Sequence, residues 1–129
     1  MANKRIAMVL LMILTMQGCQ AIAAPSQEVV TQAVYQIEDG MRQKVVSLVG
    51  GMHFASKIEE VQALPPEIAI ENDERAHFSQ QYTAFTKGSL LGINKHETGV
   101  RVSGVVTRSR EGTWHATVTG VEQTYDVRR

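Results

Sequence analysis

An α+β fold, with two helices followed by an antiparallel meander of about three strands, is predicted by three features of the chain. An apolar stripe at helical spacing begins near residue 30. The aromatic set Phe78, Tyr82 and Phe85 falls at i, i+4 and i+7, and beyond Gly99 the period changes to strict alternation. Helices that cover one face of such a sheet give a single two-layer domain.

The elements follow in order. Ser26 stands as an N-cap behind Pro25, with Glu28 in the first turn where the helix dipole favours an anion. Val30, Val34, Ile37, Met41, Val45 and Leu48 then recur at spacings of three and four, which predicts one long helix with Gln32, Gln36, Arg42 and Gln43 off the stripe. Gly50-Gly51 is expected to cap it, and Gly40 to kink it or allow a close contact. From Met52 to Ile70, Phe54, Ile58, Val61 and Leu64 fit no single period. Pro65-Pro66 forces an extended break, so this part reads as a connector with a short strand or helical turn. Asn72 or Asp73 can cap a second, shorter helix carrying the three aromatics, with Lys87-Gly88 as its stop. Val100, Val102, Gly104 and Val106 alternate with Arg101, Ser103, Val105 and Thr107. After a turn containing Glu111-Gly112, alternation resumes at Trp114, Ala116 and Val118 towards Tyr125 and Val127, a β-hairpin. Leu90–Ile93 is expected to add a third strand.

The first residues read as an export signal. Lys4 and Arg5 give a positive start, Ile6–Met16 is an apolar run of 11 residues, and Ala21-Ile22-Ala23 is an A-x-A cleavage site, so residues 1–23 are expected to be a signal peptide and 24–129 one small envelope domain. The run is shorter than the roughly 20 residues a spanning helix needs. Cys19 offers a second fate, because Met16-Gln17-Gly18-Cys19 resembles the lipobox of bacterial lipoproteins, which implies acylation of its thiol and, with Gln20 following, an outer-membrane lipoprotein. The expected location is therefore the periplasm, with the outer membrane as alternative. Cys19 is the chain's one cysteine, so the domain beyond it has no internal disulfide, thiol nucleophile or cysteine zinc site.

Charge narrows the partners. The chain holds 13 basic and 13 acidic residues, and losing Lys4 and Arg5 leaves the remainder slightly acidic, which argues against nucleic acid and against an anionic membrane surface. No G-x-S-x-G elbow and no phosphate-binding glycine loop occurs. His53, His77, His96 and His115 are scattered without H-x-x-x-H spacing, so no metal site is expected of them. Glu59-Glu60 and Asp73-Glu74 are sequence neighbours that point apart. Glu74 with His115 is the pair a hydrolase would need the fold to bring together. Trp114, Tyr82 and Tyr125 are expected mainly in the core. No cofactor is expected. Arg101, Arg108 and Arg110, with Arg128-Arg129, concentrate positive charge on the hairpin and tail; together with Trp114, the first three form the expected interaction surface for an acidic partner.

The run Val100-Arg101-Val102-Ser103-Gly104-Val105-Val106, then Gly112, then Glu122-Gln123-Thr124-Tyr125-Asp126-Val127 resembles the last strands of periplasmic domains in the inner-membrane assembly factor of type IV secretion systems. The resemblance covers about a quarter of the chain and transfers no catalytic residue. It implies a part in envelope assembly. With the signal and the absence of catalytic motifs, the expectation is a non-enzymatic exported protein that binds another envelope protein, an accessory of a conjugation, pilus or secretion apparatus. The alternative is a periplasmic carrier or inhibitor using a pocket between helices and sheet, and an edge strand leaves self-association open.

Overall fold

The structure, a computed structural model, describes residues 26–53, 56–88 and 94–129. Residues 1–25 with Cys19, Phe54 and the strand expected at Leu90–Ile93 lie outside them. Helices α1 (Gln27–Tyr35) and α2 (Glu38–Met52) precede strands β1 (Ser56–Ala63), β2 (Glu67–Asn72), β3 (Arg75–Gly88), β4 (His96–Arg108) and β5 (Trp114–Arg128). The class is α+β, with one antiparallel sheet of five strands.

The expected long helix is two helices on one continuous stripe. Ser26 caps α1 as its hydroxyl accepts from the Val29 amide at 3.2 Å. The break falls at Gln36 and Ile37, where Ile37 leaves the helical region (φ −108°, ψ 15°) and its amide turns to the Val34 carbonyl at 3.0 Å. Gly40 has open space around it, so close packing there does not cause the break. The two helices lie on different strands, α1 against β5 and β2 and α2 mainly against β1, β3 and β4. The break lets each follow a sheet whose strands twist relative to one another. Gly50-Gly51 sits inside α2, and His53 closes it by donating its amide to Val49 at 2.9 Å.

The second helix expected at residues 73–86 is strand β3. Its buried residues are Ala76, Phe78, Gln80, Tyr82, Ala84 and Thr86, a period of two. Phe78 and Tyr82 do share a face, as the helical reading required, but Phe85 points the other way. The helix cap expected at Asn72 or Asp73 is a hairpin turn: the Asn72 side chain accepts from the Glu74 amide at 2.8 Å, chemistry that serves a turn as well as a cap.

The connector is two strands laid end to end along one edge of β3. β1 pairs with residues 82–88 and β2 with residues 75–79, both antiparallel. Pro65-Pro66 lies between them, at an edge where a missing amide costs no ladder bond. Gln80, only 3% exposed, spends its amide on the Leu64 carbonyl at 2.7 Å, while Leu64 donates its own amide to Gln81. The count of about three strands therefore becomes five on four rows.

The β4–β5 hairpin forms as expected, with residues 109–113 as its turn and Gly112 at φ +89°. Its register shifts twice, between Gly99 and Val100 and between Ser103 and Gly104. Both helices cover the face that carries Tyr82, Val100, Val102 and Val106, onto which Val30, Val34, Met41, Val45 and Val49 pack with no residual exposure. Arg42 was expected off the stripe. It is half-buried and links α2 to the sheet, donating to the Val61 carbonyl at 2.8 Å, pairing with Glu38 at 2.9 Å and lying over the Tyr82 ring at 5.8 Å. The opposite face is open, and Tyr125 lies across Gly99 to reach Glu97 at 2.7 Å. Among the described residues no helix is long and apolar enough to cross a membrane.

Candidate functional site

The helix-covered face carries a distinctive feature at each end. At the turn end, α1 and the β4–β5 hairpin enclose an open groove of about 390 Å³ lined by Glu28, Val29, Gln32, Ala33, Gln36, Gly112, Thr113 and Trp114. Its apolar floor follows from the alternation that points Trp114 inward and from the α1 stripe, which leaves Val29 beside the seam and 48% exposed. The Ser109 hydroxyl and carbonyl organise the turn, accepting from Thr113 at 3.2 Å and Gly112 at 2.9 Å.

The expected interaction surface is divided by this geometry. Trp114 is 8% exposed and belongs to the core, presenting only an edge to the groove. Arg108 pairs in register with Trp114, and Arg110 lies in the turn. Both are exposed, and neither forms an ion pair with a described carboxylate. Arg101 does not join them. Strand alternation turns it to the open face, seven residues from Arg108, roughly 24 Å along the strand, where it pairs with Glu122 at 3.4 Å. Glu74 and His115 stay apart: β4 runs between β3 and β5, so about two strand spacings, near 10 Å, separate their rows.

At the other end, the fold assembles residues that sequence spacing had set aside. His53 follows the last turn of α2, His96 opens β4, and Asp126 sits near the end of β5 opposite Thr98. His53 Nε2 is 3.1 Å from Asp126 Oδ1, and His96 Nδ1 is 3.4 Å from Asp126 Oδ2. Thr98 Oγ1 donates to Asp126 Oδ1 at 2.7 Å and lies 3.3 Å from His53 Nε2. The imidazole rings are 4.5 Å apart, tilted by 38°. Side-chain exposures of 13% for His53, 24% for His96 and 25% for Asp126 make this a shallow, half-covered site. Burial pushes the Asp126 carboxyl up, but the hydrogen bonds from Thr98 and His53 and the nearby imidazoles outweigh it and hold the group below its ordinary value. The other two histidines take no part: His77 bonds Glu71 at 2.8 Å on the open face, and His115 is exposed on β5.

The sequence spacing of the histidines does not reveal this cluster, because its members come from the end of α2 and from two strands far apart in the chain. Alternation counted back from Arg108 and Trp114 without bulges places Asp126 opposite His96. The two register shifts move it opposite Thr98, where it meets both histidines. Compared with protein-family models, curated proteins and solved structures, the chain matches none.

Proposed function

We propose that this is an exported envelope protein that works by docking another envelope protein rather than by catalysis, as an accessory of a conjugation, pilus or secretion apparatus. The observation that carries the reading is the groove between α1 and the hairpin, with an apolar floor of Val29, Ala33 and the Trp114 edge and Glu28 on its α1 side; Arg108, in register with Trp114, and Arg110, in the turn that leads to Gly112, are exposed and form no ion pair with a described carboxylate. A partner segment with apolar side chains on that floor and carboxylates towards the two arginines fits it. A small ligand fits less well, since such sites enclose most of their ligand, whereas this groove is open and the space between helices and sheet is filled by side chains. The signal at Met1–Ala23 supports the location.

The test uses gently solubilised envelope extracts of cells making the full chain, separated by size. The wild-type protein is expected in a complex well above the mass of a free domain. R108E/R110E is expected to shift about tenfold towards the free species at physiological salt, and R101E to leave the distribution unchanged. Free protein at every salt concentration, or equal loss with R101E, contradicts the reading.

A further inference from the structure

The geometry points to a divalent transition-metal site, of the zinc class, formed by His53, His96 and Asp126. The three offer one ligand atom each, all within 4.8 Å of one another. In tetrahedral zinc, with metal–nitrogen distances near 2.0 Å, adjacent donor atoms lie roughly 3.3 Å apart. His53 Nε2 and His96 Nδ1 approach the two different oxygens of the Asp126 carboxylate, at 3.1 and 3.4 Å, so an ion seated among the three groups takes one oxygen and both imidazoles after the side chains rotate.

Three further features favour a cation. His96 Nδ1 is buried without a hydrogen-bond partner among the described residues, although Asp126 Oδ2 stands 3.4 Å from it. A buried ring nitrogen that makes no good hydrogen bond has a coordination position to fill. Thr98 donates to the carboxylate at 2.7 Å and so orients it, the role of outer-shell partners in metal sites. The site also lies just past the C-terminus of α2, the negative end of the helix dipole. Two imidazoles and one carboxylate suit zinc, nickel or copper(II) over magnesium or calcium, which prefer all-oxygen ligands. The partly exposed site leaves a fourth position for water.

The ion would tie the end of α2 to β4 and β5. Those elements have no disulfide to join them, since the chain's one cysteine is Cys19, in the leader region.

The test uses the protein purified from cells that make the full chain, without a histidine tag and freed of metal by chelator. Cobalt(II) is expected to bind one to one, with the visible absorption of tetrahedral coordination, and zinc to displace it. Zinc is expected to raise Tm by about 5 °C or more, and magnesium to leave it unchanged. H53A, H96A and D126N are each expected to weaken cobalt binding on the order of 100-fold or more, and T98V about tenfold, while H77A changes nothing. Circular dichroism of the metal-free variants separates loss of the site from loss of the fold, and T98V, which keeps the side-chain shape, tests the site should a ligand variant fail to fold. Absence of saturable one-to-one uptake, or uptake indifferent to the ligand substitutions and to T98V, overturns the assignment and leaves the cluster a hydrogen-bonded histidine–aspartate network.

Discussion

Gly104→Ala is expected to cost about 3 kcal/mol or more, at or beyond the top of the usual range for overpacking, because the added methyl meets backbone as well as side chain. A Cβ built at Gly104 falls onto the Thr117 carbonyl oxygen and within 2.6 and 2.8 Å of the Phe78 ring. The ring cannot withdraw, since Phe78 faces Gly104 directly in the β3–β4 register and is 3% exposed. The carbonyl is fixed by the register shift between Ser103 and Gly104. Gly104 is thus a pocket for an aromatic ring beside a bulge. A thermal melt checks this: a drop of about 15 °C or more is expected, and a drop of a few degrees would show that the hairpin relaxes around the methyl.

Tyr82→Ala is expected to cost about 3–5 kcal/mol, the range for removing a buried aromatic, because Tyr82 is fully buried and central to the packing of α2 on the sheet. Tyr82→Phe is expected to cost less than about 1 kcal/mol at neutral pH, since the hydroxyl makes only a long contact of 3.4 Å with Gln80. The pair of variants also isolates a pH effect. Burial, reinforced by the Glu38 charge and opposed by Arg42, pushes the Tyr82 hydroxyl up to about 12. A raised pKa means that the folded state holds this proton more tightly than the unfolded state. Its contribution is fully present below pH 10 and is lost as the pH rises through about 12. Denaturant titrations of the wild type and Tyr82→Phe are therefore expected to differ in slope between pH 10 and 12 and to run parallel below it. Parallel behaviour throughout would place the hydroxyl in contact with water.

What could be read from the residues, and what could not, divides by whether the physics is local. The hairpin was legible because Val100–Val106 and Trp114–Val118 alternate cleanly around a glycine turn, and the stripe from Val30 to Leu48 was legible because its face is continuous. The break at Ile37 was not, since it answers to the twist of a sheet assembled much later in the chain. β3 misleads because its inward face carries polar Gln80 and Thr86 while Phe85 lies on the open face, which blurs the period of two and leaves Phe78, Tyr82 and Phe85 at helical spacing. Gln80 is inward for a tertiary reason, its bond to Leu64 in the link between β1 and β2. For the candidate sites, Arg108 and Arg110 beside Trp114 follow from their places on the hairpin, whereas the separation of Arg101 follows from counting faces along β4. The meeting of His53, His96 and Asp126 needs the end of α2 and two strands together, and the two register shifts add Thr98 as the residue opposite Asp126.

The reading of this protein as a docking module is tested most directly by photo-crosslinking in intact cells, with a photoreactive residue placed at Val29 in the groove or at His77 on the open face. The account predicts a discrete adduct with one envelope protein from position 29, its loss on R108E/R110E, and no adduct from position 77. Adducts from position 77 alone, or an adduct from position 29 that survives charge reversal, would contradict it.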